Sequence, residues 1–536
     1  MSTSSHLLET ARRWRDAEPD ADMRDELTDL LSGSEDELAA RFDGRLQFGT
    51  AGLRAAVGAG PVRMNRLVVR QAAAGLVDYL LAVVPDAAQR GVLIGYDARR
   101  KSDAFALDTA RVCAARGVRA LLFDTVVATP LLAWSITQAQ GGRGAAAGVM
   151  VTASHNPPAD NGYKVYLGTG AQIVPPADVD ISASIDAVDP CMVELAAEDH
   201  PLIERVGASE RRAYLAEVGR VRLRPEVPGV PVAYTAMHGV GGDLLVDAFA
   251  AAGLVPPAVV ESQQHPDGRF PTVAFPNPEE PGAMDLVLQL AAASDALLAL
   301  ANDPDADRLG VAIPQPDGTW RRLFGDEIGW LMADHVLRHT SGDDRLVVTT
   351  LVSSSLLSRM AASHGVRCIE TFTGFKWIGH VVLSNPGLRF VLGYEQALGY
   401  LVAPRPLDKD GITAAVLMAE IAAVAAAEGT TLQGRLDALA ALFGRHVMAE
   451  RSLRMDPDTA RAAVAALRAS PPTAVDGVAV TSVEWFDEAG LLRLQLGESV
   501  RLQVRPSGTE PKVKLYGEGV DCDPGPLLDR LASLLG

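Results

Sequence analysis

The sequence is poor in cysteine and aromatic residues, and it contains no long apolar run. Its four cysteines are scattered without a CxxC pair, which argues against a disulfide framework or a zinc site. The apolar stretches fall short of the roughly 18–20 residues that a membrane span needs. The first residues, MSTSSHLLETARRWRD, lack the apolar core of a secretory signal. These absences favour a cytosolic protein.

Positive charge is also in short supply. Asp and Glu number 67 against 49 Lys and Arg, and the formal net charge is −18. This balance argues against broad binding to nucleic acid or to an anionic membrane. If the ligand is an anionic phosphate ester, basic groups must be concentrated locally in a cleft. A chain of 536 residues is too long for one core, and about three to five domains are expected.

Short β-rich runs alternate with helical stretches along most of the chain, which predicts an α/β fold. The apolar runs expected to form buried strands include VLIGYD (92–97), AAGVMVTAS (146–154), ALLALANDPD (296–305) and RFVLGYE (389–395). The C-terminal part differs, with a helix expected over 458–468 and antiparallel strands over 477–519. Polar residues follow several of the strands, where open α/β sheets place their ligand sites.

The stretch GVMVTASHNPPADNGYKVY (148–166) places a serine directly after a strand. Ser, Asn and Pro are common turn formers, so a plain turn is the alternative. The Gly-x-Ser-x-Gly pattern of a hydrolase elbow is absent. As chemistry, Ser154 could carry a phosphoryl group if a base and a charge clamp lie nearby. His155 could orient it, and Lys164 could act as acid or base if nearby cations depress its pKa.

A second cluster, NDPDADR (302–308), follows the apolar run ALLALA. On an extended segment, Asp303, Asp305 and Asp307 project to the same side. Carboxylates packed together are unfavourable unless a cation neutralises them, and an all-oxygen set selects a hard ion such as Mg²⁺. An EF-hand starting at Asp303 is excluded, because Arg308 and Pro314 stand where Gly and Glu are required. A solvated acidic turn remains the alternative.

A third motif, VRLQVRPSGTEPKVKLYGEG (500–519), predicts two strands flanking a loop that starts at Arg505. This loop offers a guanidinium, hydroxyls and the backbone N–H of Gly508, which are the parts of a phosphate-binding loop. A hairpin turn with an exposed arginine is the alternative.

Four weaker motifs each combine glycine, which allows close backbone approach, with a charged residue. They are FGTAGLR (48–54) with Arg54, TFTGFKWIG (371–379) with Lys376, GYEQALGY (393–400) with Glu395, and DKDG (408–411) with Lys409.

TASHNPPADNGYK, DPDADR, GYEQALGY and RPSGTEPKVK occur in the order seen in the α-D-phosphohexomutase superfamily, which the chain resembles over roughly residues 45–519. This superfamily includes phosphoglucomutases, phosphomannomutases and phosphopentomutases. FGTAGLR, TFTGFKWIG and DKDG are most similar to the phosphoglucomutase/phosphopentomutase branch. The resemblance implies an α/β fold of four domains around a central cleft, with three mixed α/β domains and a smaller α+β C-terminal domain. The limits expected for these domains are 1–215, 216–324, 325–440 and 441–536.

The resemblance also implies roles for single residues. Ser154 would carry the catalytic phosphate and bind Mg²⁺ together with Asp303, Asp305 and Asp307. Arg54, His155 and Lys164 would assist proton and phosphoryl transfer. The residues implied to bind the substrate are Arg308, Thr373, Lys376, Glu395, Lys409, Arg505, Ser507, Gly508 and Thr509. Of these, Glu395 would hold sugar hydroxyls, and the last four would grip the phosphate that does not react.

The implied activity is exchange of phosphate between the 1- and 6-positions of a hexose, with a sugar bisphosphate as intermediate or activator. A phosphopentomutase and a sugar 1,6-bisphosphate synthase are alternatives from the same family. A non-catalytic phosphosugar-binding protein and a phosphatase belong to other classes. The first conflicts with the intact Ser154, and the second does not need a phosphate site at Arg505. The sequence departs from many relatives in the sugar loop, where Gln396 and Ala397 replace an acidic residue and a serine. The expected partner is a small phosphosugar, with no nucleic acid and no membrane, and nothing in the sequence indicates an oligomeric state.

Overall fold

The structure is a computed structural model, and it describes residues 3–48, 52–507 and 511–535. The chain forms two compact units. The first contains Met1–Leu323, Val382–Ser384 and Leu398–Val424, and the second contains Phe324–Val381, Asn385–Ala397 and Ala425–Gly536.

The first unit opens with helices α1 (Thr3–Ala17), α2 (Ala21–Ser32) and α3 (Glu35–Phe42). A six-stranded sheet follows, made of β1 (Leu53–Ala56), β2 (Val92–Tyr96), β3 (Ala120–Phe123), β4 (Ala147–Val151), β5 (Asp160–Leu167) and β6 (Ile203–Val206). Its order is β1-β5-β4-β2-β3-β6, in which the pairs of β1 with β5 and of β5 with β4 are antiparallel and the others parallel. The helices along this stretch are α4 (Arg66–Val83), α5 (Ala87–Arg90), α6 (Ser102–Ala115), α7 (Thr129–Gly142), α8 (Ala177–Asp186) and α9 (Ala208–Val218), with a 3₁₀ turn at Pro190–Met192.

A second sheet of the first unit contains β7 (Val232–Thr235), β8 (Ala258–Val259), β9 (Leu298–Ala301), β10 (Gly310–Pro314) and β11 (Trp320–Arg322). Its order is β11-β10-β9-β7-β8, with β7, β8 and β9 parallel. Its helices are α10 (Gly242–Ala251), α11 (Glu261–Gln264) and α12 (Asp285–Ala293). In both sheets the central strands are buried, apart from the partly exposed Tyr96 at the end of β2, as expected for parallel strands covered on two faces.

The second unit contains three parallel strands, β12 (Arg345–Thr350), β13 (Arg367–Thr371) and β14 (Arg389–Glu395). The strand β12 lies in the middle and pairs with the other two. Its helices are α13 (Gly325–His339), α14 (Leu356–Ser363) and α15 (Phe375–Ser384), of which the last three residues belong to the first unit. The chain then contributes β15 (Gly399–Leu401) and α16 (Gly411–Ala427), through residue 424, to the first unit.

The C-terminal part of the second unit is a six-stranded antiparallel sheet with the order β16-β21-β20-β19-β18-β17. Its strands are β16 (His446–Arg454), β17 (Ala474–Val475), β18 (Val478–Phe486), β19 (Leu491–Leu496), β20 (Val500–Pro506) and β21 (Lys512–Val520). The accompanying helices are α17 (Leu432–Phe443), α18 (Pro457–Ala469) and α19 (Gly525–Ala532), with a 3₁₀ turn at Asp487–Ala489. The predicted α/β class and the antiparallel C-terminal part are therefore confirmed.

The predicted strands exist, but several end earlier than their apolar runs. The strand β4 ends at Val151 and β9 ends at Ala301. The residues beyond them, which include Ser154 and the three aspartates, are therefore in loops at the carboxyl ends of strands. In the described ranges, no single helix is long and apolar enough to cross a membrane, although Gly411–Ala427 and Leu432–Phe443 meet that test together as a bent pair.

A buried carboxyl group in the first turn of α13 predicts a pH dependence of stability. Asp326 Oδ1 accepts hydrogen bonds from the amide of Ser354 at 2.7 Å and from the hydroxyl of Tyr394 at 3.0 Å. Burial raises the pKa of Asp326 to about 7. The folded protein therefore holds a proton that the unfolded chain releases, and stability falls as the pH rises from about 4 through 7.

Asp326→Asn is expected to remove this part of the pH dependence, because a neutral amide keeps the acceptor oxygen. Between pH 5 and 8 the wild type should lose about 2–3 kcal/mol more unfolding free energy than the variant. Urea unfolding of both proteins at the two pH values measures this difference. Equal losses in the two proteins would contradict it.

Candidate active site

Ser154 lies in the loop that follows β4, and its backbone adopts a left-handed conformation with φ of 52°. A positive φ is uncommon outside glycine and persists only where neighbouring contacts hold it. One such contact is the hydrogen bond from the Ser154 amide to Thr152 Oγ1, at 2.8 Å. Ser154 is 2% exposed, so its hydroxyl lies in a buried polar setting.

Asp303 and His155 contact the Ser154 hydroxyl. It donates a hydrogen bond to Asp303 Oδ2 at 2.9 Å, and its oxygen lies 3.1 Å from Nδ1 of His155. Burial, followed by the charges of Arg308 and Arg54, lowers the pKa of His155 well below its ordinary value. The imidazole is therefore neutral near pH 7, and in the tautomer protonated at Nε2 its Nδ1 can accept a proton.

Asp303, Asp305 and Asp307 form a turn after β9 rather than an extended segment. Ala306 has φ of 58°, and its amide donates to the carbonyl of Asp303 at 2.9 Å. The extended conformation expected from the sequence is therefore wrong. The expected convergence is confirmed, since one carboxylate oxygen from each aspartate lies within 4.8 Å of the others. All three aspartates are fully buried.

The chemistry of this cluster fits a hard divalent cation. Asp305 Oδ1 and Asp307 Oδ1 are buried and have no hydrogen-bond partner in the described parts of the chain. Burial, together with the neighbouring Asp307 and Asp305, raises the pKa of Asp303 well above its ordinary value. Like charges held together without water are costly, and oxygen donors of this type select Mg²⁺ or Ca²⁺.

Two lysines approach the aspartates. Lys164 Nζ donates to Asp305 Oδ2 at 2.7 Å and to Asp307 Oδ2 at 2.9 Å. Lys409 Nζ lies 2.8 Å from the same Asp307 oxygen. The pairing of β4 with β5 sets Lys164 opposite Met150, which explains how a residue ten positions after the serine returns to this site.

These ion pairs correct one expectation. Burial opposes the charge on Lys164, but Asp305 and Asp307 raise its pKa above the ordinary value. Conversely, Lys164 lowers the pKa of both carboxyls in spite of their burial. The hydrogen bonds of Lys164 described above go to carboxylates, so the condition under which it was expected to act as acid or base, a pKa depressed by nearby cations, is not met.

The DKDG motif is held against the aspartate turn. Asp408 Oδ2 accepts hydrogen bonds from Tyr166 and Gln172, at 2.8 Å and 2.7 Å. A side chain at Gly411 would collide with the carbonyl oxygen of Arg308, so glycine is required for this close approach. The motif therefore leads into the helix α16 and also places Lys409 in contact with Asp307.

Arginines supply further positive charge. Arg54 on β1 donates from Nη1 to Asn156 Oδ1 at 3.0 Å. The amide of Arg308 donates to Asp303 Oδ1 at 3.0 Å, and its side chain lies 3.3 Å from Glu279. The local concentration of cations that the acidic composition required is therefore present around Ser154.

Thr129 contacts the aspartate turn but was not predicted from the sequence. Its hydroxyl donates to Asp305 Oδ2 at 2.6 Å, and its amide donates to the carbonyl of Asp305 at 2.9 Å. Thr129 begins α7 and is followed by proline, a common pattern at a helix start. That pattern marks the helix start but does not indicate which loop lies against it.

The remaining predicted residues belong to the second unit. Glu395 ends β14 and is 6% exposed, and Lys376 in the first turn of α15 is 5% exposed. Thr373 lies half-buried before α15. Arg505, near the end of β20, donates to the hydroxyl of Tyr516 at 3.3 Å.

The loop after Arg505 is described only in part. The amide of Ser507 donates to the carbonyl of Lys512 at 2.8 Å, next to the pairing of Pro506 with Val513 between β20 and β21. Gly508 and Thr509 lie outside the described residues.

Gln396, directly after β14, contacts Ser353, a serine after β12. The backbone amide of Gln396 donates to Ser353 Oγ at 3.2 Å. The side-chain oxygen of Gln396 accepts a hydrogen bond from the same hydroxyl, also at 3.2 Å. A side chain at Gly325 would collide with the carbonyl of Gln396. The loop at Gln396 is therefore held by contacts within the second unit.

Four models of the phosphoglucomutase/phosphomannomutase family match the chain in order. Alpha/beta/alpha domains I, II and III match residues 45–190, 212–318 and 324–443, and the C-terminal domain matches residues 453–524. The chain therefore belongs to the phosphoglucomutase/phosphomannomutase family of the α-D-phosphohexomutase superfamily.

The proteins that are similar to this chain are named for different substrates. A probable phosphomannomutase of Haemophilus influenzae is 41% identical over 86% of this chain and 94% of its own. The Homo sapiens phosphopentomutase is 34% identical over 91% and 87%, and the Homo sapiens glucose 1,6-bisphosphate synthase is 33% identical over 96% and 90%. The chain is thus an enzyme of the phosphomutase family.

Solved structures share the fold. A phosphoglucomutase/phosphomannomutase family protein from Burkholderia thailandensis is 22% identical and aligns with a TM-score of 0.72 over 92% of this chain and 97% of its own.

Proposed function

We propose that the protein interconverts hexose 1-phosphate and hexose 6-phosphate through a phosphorylated Ser154 and a sugar bisphosphate. The observation that carries this proposal is the placement of the buried Ser154 hydroxyl, 2.9 Å from Asp303 Oδ2 and 3.1 Å from His155 Nδ1. A hydroxyl next to an acceptor and surrounded by cationic groups has what it needs to carry a phosphoryl group.

In the proposed cycle, phospho-Ser154 donates its phosphoryl group to the free hydroxyl of a sugar monophosphate. The phosphorus–oxygen bond to Ser154 breaks as the bond to the sugar oxygen forms. His155 takes the proton from the sugar hydroxyl and passes it to the Ser154 oxygen. The bisphosphate then turns, and its other phosphate returns to Ser154 by the same steps in reverse. Arg54 and Lys164 supply positive charge during both transfers.

A metal site completes the proposal. Asp303, Asp305, Asp307 and Ser154 would hold Mg²⁺, which supplies positive charge that stabilises the developing negative charge on phosphoryl oxygens. The two buried carboxylate oxygens without a partner in the described ranges support this assignment.

The substrate contacts are proposals as well. Arg308 would contact the sugar or the transferring phosphate, and Glu395 would bind sugar hydroxyls, while Thr373, Lys376 and Lys409 would contribute further polar contacts. The residues proposed to bind the non-reacting phosphate are Arg505, Ser507, Gly508 and Thr509. We also propose a cytoplasmic location, with a free phosphosugar as the partner and a sugar bisphosphate as the activator.

Pentose phosphate is the second candidate substrate. The phosphopentomutase and glucose 1,6-bisphosphate synthase among the relatives favour the alternatives of a ribose or deoxyribose phosphate mutase and of a bisphosphate synthase. These alternatives share the Ser154 chemistry and differ only in the sugar or in the phosphoryl donor.

The experiment that tests the function has two parts. Intact-protein mass spectrometry after incubation with glucose 1,6-bisphosphate should show one added phosphoryl group, located at Ser154 by peptide mapping. The ratio kcat/KM for glucose 1-phosphate, mannose 1-phosphate and ribose 1-phosphate then identifies the sugar. If the protein binds phosphosugars but Ser154 is not phosphorylated, the mutase mechanism is excluded. If kcat/KM is highest for ribose 1-phosphate, the pentose alternative is favoured.

A further inference from the structure

We propose that Arg99 is a positioning residue that holds the Ser154 loop in the conformation needed for phosphoryl transfer. This inference rests on the proposed role of Ser154 as the phosphate carrier. Arg99 lies in the loop after β2, the strand that pairs with β4 in the first sheet. Neighbouring parallel strands place their carboxyl-terminal loops side by side, so Arg99 emerges next to the serine loop.

The guanidinium of Arg99 donates to four carbonyl oxygens, three in that loop and one at Asp160, where β5 begins. Nη2 donates to Ser154 at 2.5 Å and to Asn156 at 2.6 Å. Nη1 donates to Pro157 at 2.8 Å and to Asp160 at 3.1 Å. The side chain is 1% exposed, so these hydrogen bonds form away from bulk water, where they are strong.

Arg99 is itself fixed by its surroundings. The carboxylate of Asp97 lies 3.2 Å from its Nε, and Asp97 Oδ1 also accepts from the Arg99 amide at 3.0 Å. The ring of Phe270 stacks on the guanidinium with its centroid at 4.9 Å. A side chain at Gly268 would collide with the Arg99 backbone. Because these contacts hold the guanidinium in place, its hydrogen bonds can restrain the Ser154 loop.

The geometry explains why an arginine is needed. Ser154 has a positive φ of 52°, a conformation that relaxes unless other contacts hold it. One planar group with five donors can reach four carbonyls at once, whereas the ammonium of lysine has three donors on a single atom. All four hydrogen bonds end on backbone oxygens, so Arg99 acts on the hydroxyl only through the loop. Its loss should therefore affect the transfer step rather than the binding of sugar phosphate.

Arg99→Lys tests this proposal, and Arg222→Lys is the matched control. Arg222 is also buried, pairs with Glu420 at 2.9 Å and donates to the carbonyls of Ala252, Arg224 and Val227. It serves the α16 region rather than the Ser154 loop. Both variants should lower Tm, because each loses buried hydrogen bonds.

Only Arg99→Lys should lower kcat, by about 100-fold, since a misplacement of about 1 Å has an effect of this size. Its KM should stay within about twofold of the wild type. The rate of Ser154 phosphorylation by glucose 1,6-bisphosphate, measured by mass spectrometry, should fall with kcat. Wild-type kcat in Arg99→Lys, or an equal loss in Arg222→Lys, would overturn the proposal.

Asp97→Asn keeps the proposal testable if Arg99→Lys does not fold. This variant keeps the shape and the Oδ1 acceptor but removes the charge that pairs with Nε, and a fall in kcat of about 10-fold at unchanged KM is expected. Unchanged kcat would overturn the role of Arg99. If the wild type itself is not phosphorylated at Ser154, the proposed function fails. If the wild type is phosphorylated and the variants match its rate, only the positioning role fails.

Discussion

Ser154→Ala is expected to lower kcat by at least about 10⁴-fold, because the oxygen that accepts and returns the phosphoryl group is removed. Alanine keeps the Cβ and the chain direction, so the loop should survive. The main structural loss is the hydrogen bond to Asp303 Oδ2. Steady-state kinetics with a saturating sugar bisphosphate measure the effect, and intact mass spectrometry should show no phosphorylated protein.

Ser135→Ala is the control for loss of a buried serine hydroxyl. Ser135 is 1% exposed, and its hydroxyl donates to the carbonyl of Leu131 in its own helix. This variant should keep wild-type kcat and become phosphorylated at Ser154. Residual activity above about 1% in Ser154→Ala would contradict the phosphoserine cycle, since removal of a nucleophile from a covalent mechanism costs far more than that.

The sequence could predict the location of the serine and of the aspartates because a local pattern determines it. Apolar runs end where strands end, and polar residues that follow them lie at the edge of the sheet. The convergence of Asp303, Asp305 and Asp307 followed from their spacing, although a turn with Ala306 at positive φ produces it rather than an extended chain. The prediction succeeded because either conformation keeps alternate side chains close together.

The contacts between distant segments could not be predicted, because they depend on strand order. Lys409 approaches Asp307 only because the DKDG segment lies against the aspartate turn. Arg99 follows a strand, and this position alone does not distinguish it from other arginines in loops. Its four carbonyl partners can be identified only when the pairing of β2 with β4 is known. The assigned roles and the domain limits at residues 215, 324 and 440 stay predictions.

Lys164→Met is expected to have the largest effect on stability. It removes the ammonium that contacts Asp305 and Asp307 at 2.7 and 2.9 Å, so Asp307 keeps only its ion pair with Lys409 and Asp305 loses its lysine among the described residues. Breaking a buried ion pair from one side typically costs about 3–5 kcal/mol, because the remaining charge stays out of water without a partner. Activity should fall with stability, because Lys164 supplies charge next to Ser154. Urea unfolding and kcat measure the two losses.

Three tests decide whether the aspartates cause this effect. The double variant Lys164→Met/Asp305→Asn should recover part of the lost stability but none of the activity, because one stranded carboxylate is neutralised while the cation is still missing.

Lys101→Met is the control for loss of a bridging lysine. Lys101 pairs with Asp20 and Asp22 at 2.8 and 3.1 Å, and these carboxylates reach solvent whereas Asp305 and Asp307 do not, so its loss should cost less than the loss of Lys164. Excess Mg²⁺ should also restore stability to Lys164→Met and chelator should remove that gain, since a cation bound by the three aspartates replaces the missing charge. If Mg²⁺ leaves the variant unchanged, the assignment of the metal site is wrong.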